Sequence, residues 1–434
     1  MNFARLNHIL IPTTREERDA WRRGWVARLV RPLVWPYYAF SEEGRVLSLL
    51  CLFIGTASGE IGRTHVYLLW AILLGLLLAS LVVRRAFALT KVRVEVSAPA
   101  RVAVGKPITF RVTLVNEDDR PHTAVRIRAP FLPWDGRWRG AEPRFSVIEP
   151  GEAVHGEVQA RFVARGHHHL DPFHACALVP LGMAMGPSLE SGGSRFVVVP
   201  RIAPVESLRL PQGRSYQPGG VANASSTGEA MELMGVRPYR PGDPLRDLHA
   251  KTWARLGTPH IREYQQEYFS RIGVIVDTDA ESLTEEGFEA AISLTAGVVA
   301  RLTRGEALID LLVLGEQIHS LTFGRALGNL DQALDVLACA EPGAKLAGDD
   351  LLTRLLPYLA RLSCIVIVTQ STDPSRLALA DAIERRGVAC RVLRVHDDLG
   401  IRWLARRRPS IPPRGAAEVV VAASQIRAEE GLRL

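Results

Sequence analysis

The pattern of apolar and polar positions changes character three times along the chain. From Val66 to Val83 the sequence VYLLWAILLGLLLASLVV carries no charge over 18 residues. A helix of that length rises about 27 Å, close to the hydrocarbon thickness of a bilayer. A second apolar run, Val46 to Gly59, lies just before it between Arg45 and Glu60. Alone it rises only about 21 Å. It crosses a bilayer only with extension past Glu60, local thinning, or snorkelling by Arg45. The link between the runs is short, so residues 44–85 read as a transmembrane helical hairpin. The apolar region starts too late for a secretory signal peptide.

From Lys91 the period becomes two. KVRVEV places Val92, Val94 and Val96 on one face, and PITFRVTLVN repeats this with Ile108, Phe110, Val112 and Leu114. AVRIRAPF, EAVHGEVQARFVA, DPFHACALV and SRFVVVP read as further short strands, with turns at Gly105-Lys106-Pro107, Pro150-Gly151 and Ser191 to Ser194. This spacing predicts an antiparallel, β-sandwich-like domain over 90–204. Residues 205–269 form a connector that opens on the polar stretch SYQPGGVANASSTGEAME, a loop by composition.

From Arg271 the period changes again. RIGVIVD, ALIDLLVLG, HSLTF, CIVIVTQ and VACRVLRVH are apolar strands, and helical patterns fall between them. In the first helix Phe288, Ala291, Ile292, Thr295, Val299 and Leu302 share a face. Strands alternating with helices predict an α/β domain over 270–400 with helices on both sheet faces. Residues 401–434 are read as an extension, with an Arg/Pro-rich stretch at Ala405 to Pro413.

Charge decides orientation more than partner. There are 53 Lys and Arg against 46 Asp and Glu, a net +7. The cations are interleaved with acids except near the N-terminus and at Arg406 to Arg408, so no nucleic-acid partner is expected. Residues 1–43 are Arg-rich, with Arg22, Arg23, Arg28 and Arg31, and Arg45 follows. Arg84, Arg85, Lys91 and Arg93 flank the far end of the hairpin, while the loop between the runs holds only Arg63. The positive-inside rule then places both flanks, and the soluble domains, in the cytoplasm, with two membrane spans. Trp21 to Tyr38 is expected to lie along the lipid headgroups. Five widely spaced cysteines, an odd number without a CxxC pair, fit a reducing compartment.

Three places carry candidate chemistry. Asp277, Asp279 and Glu281 alternate after the first α/β strand, where ligands of open α/β sheets sit. With Asp349, Asp350 and the TQSTD stretch from Thr369, they offer oxygens to a hard cation. The opposing reading is that Asp277 caps a turn or helix and the acids are solvated. The second place is RPYRPGDPLRDLHAKTWAR, with Arg237, Arg240, Asp243, Arg246, Asp247, Trp253 and Arg255. Asp243 is expected to cap the short helix after Pro244. The run is a charge-paired platform that either staples the connector to the α/β domain or docks a partner. The third is His167-His168-His169 with Asp171 and His174. Successive strand residues face opposite ways, so these do not converge on zinc. No Walker motif, HExxH, GxSxG or Cys/His nucleophile pattern is present.

Arg237, Tyr239, Gly242, Asp243 and Arg246, followed by Asp247, Trp253 and the Ala254-Arg255 pair, resemble the hallmark of the bacterial family called domain of unknown function 58. Arg165-Gly166 and Pro180-Leu181-Gly182 match the pattern that precedes it. The resemblance implies a C-terminal von Willebrand factor A-like domain. It also implies association with a MoxR-type AAA+ ATPase and with transglutaminase-like membrane proteins. It implies no enzymatic activity and no cofactor. A metal-ion-dependent adhesion site would need Asp-x-Ser-x-Ser. Here Asp277 is kept, but Asp279 and Glu281 replace the serines and Gln370 stands where an Asp belongs, so the metal site is degenerate. The expected function is therefore a membrane-anchored cytoplasmic scaffold or adaptor whose partner-facing residues are those of the hallmark. The competing function is a metal-dependent hydrolase or anionic-ligand-binding protein built on the Asp277 loop.

Overall fold

The computed structural model describes residues 37–57, 64–210, 233–243, 245–264, 271–279, 284–305, 307–315, 318–324, 330–343, 348–371, 374–398 and 418–434, with Ala20, Gly24 and Trp35. The chain divides into two compact units, Met1–Val199 and Pro200–Leu434.

Among the described residues the first unit has helices α1 (Glu42–Ala57) and α2 (Thr64–Val83). Among the described residues one helix, His65–Phe87, is long and apolar enough to cross a membrane by length and composition. Many of its apolar side chains are exposed, as at Leu68, Leu69, Ile72 and Leu78. Where the two helices meet, Cys51 and Leu77 are buried with Leu47, Trp70, Leu73 and Leu74 around them.

The β part of this unit contains β1 (Val92–Ser97), β2 (Arg101–Ala103), β3 (Pro107–Asn116), β4 (His122–Arg128), β5 (Gly136–Arg139), β6 (Arg144–Ile148), β7 (Ala153–Phe162), β8 (Gly166–Leu170), β9 (His174–Ala177), β10 (Leu189–Glu190) and β11 (Ser194–Val199). They pair as β1-β3-β7-β5, β10-β9-β4-β6 and β2-β11-β8. The alternation read in PITFRVTLVN is real: Ile108, Phe110, Val112 and Leu114 are buried. They share one core with Val158, Ala160 and Phe162 of β7, Val125 and Ile127 of β4, and Phe196 and Val198 of β11. One pairing departs from the antiparallel expectation. β2 runs parallel to β11, Val197 opposite Arg101 and Val199 opposite Ala103. A three-residue strand is too short to announce itself by period.

The β part is fastened to the helix pair by ion pairs from Arg126 of β4 to Glu42 and Glu43 of α1, and by the loop after β9. Phe40 bridges Ala184, Ser41 N–H donates to Met183 O at 3.0 Å, and Met185 N–H donates to Ala39 O at 2.8 Å. Arg84 Nε donates to Met185 O at 3.0 Å. The approach is close enough that a Cβ at Gly44 would lie 1.9 Å from the Met183 carbonyl oxygen, so only glycine fits there.

The second unit begins with β12 (Val205–Ser207), then β13 (Leu233–Pro238), α3 (Ala250–Leu256) and β14 (His260–Tyr264). The α/β core follows: β15 (Arg271–Asp277), α4 (Glu285–Leu302), β16 (Leu308–Leu314), β17 (Ile318–Phe323), α5 (Leu330–Ala338), α6 (Gly348–Leu359), β18 (Cys364–Thr369), α7 (Pro374–Glu384), β19 (Ala389–His396), β20 (Glu418–Ala422), α8 (Ala423–Arg427) and β21 (Leu432–Arg433). The main sheet has the order β17-β16-β15-β18-β19-β20. Only β17 is antiparallel to its neighbour. Ile275, Leu312, Ile365, Ile367 and Val392 face Leu351 and Leu355 of α6 and Leu379 and Ile383 of α7. The alternate positions, Val274, Val276, Val366 and Val368, are also fully buried, on the face that receives α4. Burial on both faces is why these strands read as continuous apolar runs.

The α/β unit does not stop at residue 400. β20 is its sixth strand, Val392 opposite Glu418 and His396 opposite Ala422, and β21 pairs in parallel with β12. The extension expected after residue 400 is therefore part of the sheet, and Val205–Ser207 of the expected connector is part of the same unit. The polar stretch 211–232 and the Arg/Pro-rich stretch 405–413 lie outside the described residues.

Candidate functional site

The hallmark run folds on itself. β13 and β14 pair antiparallel, with Arg237 opposite Ile261 and Pro238 opposite His260, and everything between them is carried at the end of this two-stranded ribbon. Pro241, Gly242 and Asp243 form the turn, and Gly242 takes a φ of +105° that a side chain would oppose. Arg237 holds the turn shut: Nη1 and Nη2 donate to Asp243 Oδ2 and Oδ1 at 2.7 and 2.9 Å. The Arg240 N–H donates to Oδ2 at 2.9 Å, and the Asp243 N–H returns a bond to Arg240 O at 3.0 Å. The Arg237 fork, helped by the Arg240 amide, pulls the Asp243 carboxyl down to about 2. Asp243 thus closes the turn rather than capping the short helical turn Leu245–Asp247 that follows. The cap of α3 is His249, whose Nδ1 accepts from the Thr252 N–H at 3.3 Å. Tyr239 is anchored through its N–H to Pro259 O at 2.9 Å.

The other predicted residues point away from this lock. The Arg246 side chain is 86% exposed, with Asp247 3.9 Å away. Trp253 is 45% exposed, and Arg255 is exposed. Leu256, three residues on from Trp253 and so on the same helix face, is 53% exposed, and Leu245 is 69% exposed. Leu245, His249 and Leu256 were not singled out in the sequence. His249 was recoverable from the HxxT spacing of an N-cap; the leucines gave no signal, since an apolar residue in a helical segment ordinarily faces a core.

The acid loop is organised differently from a row of solvated carboxylates. Asp277 is buried at the end of β15 and accepts from Thr369 Oγ1 at 2.8 Å, which ties β15 to β18. Its Oδ1 also takes the Asp279 N–H at 3.3 Å, an Asx turn. Thr369 Oγ1 accepts the Ser371 N–H at 2.9 Å. Thr278 bonds Leu314 O, and Asp279 is buried as well. Thr284, not Asp277, caps α4 through the Gly287 N–H at 3.2 Å, and it bonds Asp397. Gln370 lies against Gly287, and neither of its side-chain amide atoms has a hydrogen-bond partner among the described residues. Glu281, Thr372 and Asp373 lie outside the described residues. Asp350, at the start of α6, is exposed. Among the described residues no group of three or more His, Cys, Asp and Glu side chains is placed to hold a metal ion.

The histidine run alternates as strand geometry requires. His167 and His169 are exposed on β8 and His168 points in. His168 Nε2 lies 2.7 Å from Asp135 Oδ2 and Nδ1 lies 3.1 Å from Gly166 O, with the Phe162 and Phe196 rings against it.

Residues 235–428 match the model of the family described as "Protein of unknown function DUF58". No curated protein matches the chain. Among solved structures, the CARDB domain of a Pyrococcus furiosus protein is 14% identical, with a TM-score of 0.17, and the match covers 25% of this chain and 94% of that one. An aerotolerance-related membrane protein from Bacteroides fragilis is 14% identical, with a TM-score of 0.22, covering 38% and 91%. A Pseudomonas fluorescens alkylpurine DNA glycosylase is 20% identical, with a TM-score of 0.17, covering 36% and 44%. Likenesses at this level carry no argument about function.

Proposed function

We propose that the chain, whose residues 235–428 match the family of unknown function DUF58, is a membrane-anchored cytoplasmic scaffold that docks a MoxR-type AAA+ ATPase through the hallmark run. The observation that carries this reading is the division of labour inside the run. Arg237 and Asp243 satisfy each other, whereas Arg246, Trp253 and Leu256 are exposed. An exposed Trp with Leu beside it and arginines around it is the chemistry of an interface anchor. A run that served only to fix the fold would bury its Trp.

The α/β unit is read as von Willebrand factor A-like. Its mostly parallel six-stranded sheet, with helices on both faces and an acid at the end of β15, supports this. In this reading Asp277 is a strand-to-strand tie, bonded to Thr369, and the chain is not an enzyme. Anchoring is assigned to α1 and α2 as two spans. At 16 and 20 residues they rise about 24 and 30 Å, so the first needs thinning or snorkelling by its flanks. A transglutaminase-like membrane protein is a second partner in this reading.

The test is capture of a MoxR-type ATPase by the full chain in detergent. Trp253→Ala and Arg246→Ala should each weaken capture at least about tenfold, a change of roughly 1.4 kcal/mol. Both side chains are exposed, so neither variant should melt earlier than the parent. Unchanged capture by the double variant would remove the docking role from the run.

A further inference from the structure

The loop that fastens the β part to the helix pair has a feature that fastening does not require. Val179 to Gly186 folds back on itself, with Val179 N–H bonded to Ala184 O at 2.9 Å and Gly182 N–H to Val179 O at 2.8 Å. At its tip Leu181 adopts a φ of +69°, a left-handed conformation that an L-residue with a γ-branched side chain resists. Glycine or asparagine would take that position without strain. Leucine takes it, and the residue is 74% exposed.

What surrounds Leu181 identifies the missing contact. The Gly182 carbonyl accepts from Ser41 Oγ, and Ser41 immediately precedes α1. Arg84, immediately after α2, donates to Met185 O. The start of α1 and the end of α2 lie at one end of the apolar pair, so Leu181 sits within a residue of that end. The same end carries Trp35, Tyr37 and Tyr38, which are 48%, 55% and 60% exposed. The Arg45 guanidinium lies 4.2 Å over the Tyr37 ring, and that of Arg84 5.3 Å over the Trp35 ring. Exposed Trp and Tyr with Arg at the end of an apolar helix is the composition of the headgroup layer of a membrane. Arg neutralises phosphate there while the rings and the stem of the side chain stay in apolar surroundings.

We propose that the loop Val179–Gly186 is a bilayer-contact site, with Leu181 inserted among the headgroup-proximal segments of the acyl chains and Arg84 facing the lipid phosphates. The β part is then held to the membrane by the loop as well as by the helices. The proposal rests on the reading of α2 as a membrane span, and its test separates the two.

The full chain is reconstituted in vesicles of phosphatidylethanolamine and phosphatidylglycerol, in a Cys339→Ser background. An environment-sensitive fluorophore is attached at Leu181→Cys or, separately, at Leu78→Cys in α2. Lipids spin-labelled near the headgroup end of the acyl chain should quench the Leu181→Cys probe by about half, as at the roughly 5–10 Å depth of interfacial apolar groups. Aqueous iodide should leave that probe largely unquenched. If the Leu78→Cys probe is quenched by deep lipid labels while the Leu181→Cys probe responds only to iodide, the loop contact is refuted and the span stands. If neither probe responds to lipid labels, both are refuted. A measurement without substitution guards against misfolding of the variants. A carbene-generating lipid should modify the peptide containing Pro180 to Met183 in the unaltered chain, and adducts confined to α2 would refute the contact.

Discussion

At the scale of single residues, the informative side chains are those whose protonation the fold constrains. His168 meets an acceptor at each ring nitrogen, Asp135 at Nε2 and the Gly166 carbonyl at Nδ1. Only the imidazolium donates to both. Burial opposes the charge, yet the Asp135 bond and charge outweigh it and the pKa of His168 is raised. A raised folded value means that the pair's contribution is complete below pH about 6.5, the ordinary histidine value, and fades as pH rises through the folded one. Melting temperature should therefore decline above neutrality in the parent chain and lose that slope in His168→Gln; an unchanged slope would remove the pair from the account. The cysteines give a second residue-scale expectation. Burial pushes Cys176 and Cys364 up to about 11 and Cys390 further, and Cys51 is buried between the helices, while Cys339 is exposed. Thiolate is the reactive form. A maleimide at neutral pH should add one label to the folded chain, at Cys339 by mass spectrometry, and more only after denaturation.

At the scale of elements, β20 tests how the last strand is held. Arg394 of β19 and Glu418 of β20 pair at 2.6 Å with side chains only 3% and 7% exposed. Removing one partner leaves the other charged in a low-dielectric edge, at a cost of about 3–5 kcal/mol. Urea unfolding of Glu418→Ala should show a loss of that order. Replacing both residues by apolar ones should recover much of it, and a loss below about 1 kcal/mol would mean water reaches the pair. The same strand marks where sequence reading ends. RIGVIVD and CIVIVTQ were legible because strands buried on both faces leave an uninterrupted apolar run, and PITFRVTLVN because one buried face leaves strict alternation. Glu418–Ala422 is five residues long, opens on a charged residue and follows an Arg/Pro-rich stretch, so nothing local marks it as the edge of a sheet. β2 failed for the same reason at three residues. In the hallmark run the sequence disclosed a charge-paired platform and the turn residues, without naming the pair. It did not disclose which acid closes the turn, because Asp243 at a Pro-Gly-Asp turn and Asp243 at an N-cap have the same local pattern. That choice is made by Arg237, six residues away on the opposite limb of the turn.

At the scale of the whole molecule, the decisive quantity is the distribution of positive charge about the apolar helices. α2 has the length of a bilayer core and α1 is about a turn shorter, so two crossings are possible only if α1 is helped by its flanks. Those flanks are suited to it: Arg45 reaches back over Tyr37 at the end of α1, where it can snorkel to the surface. Arg84, Arg85, Lys91 and Arg93 follow α2, eight arginines lie within the first 45 residues, and the short link between the helices holds Arg63 alone. Positive flanks are retained in the cytoplasm, and an even number of crossings returns the chain to the side from which it left. Both units would then lie in a reducing compartment, consistent with five free cysteines. Reporter fusions at residue 40 and after residue 90 should both show cytoplasmic activity. A periplasmic signal after residue 90 together with a cytoplasmic one at residue 40 would mean that α2 crosses alone, and α1 would then lie along the membrane rather than through it. The docking proposal would fall with it, because the hallmark run would face a compartment that contains no ATP for an AAA+ partner.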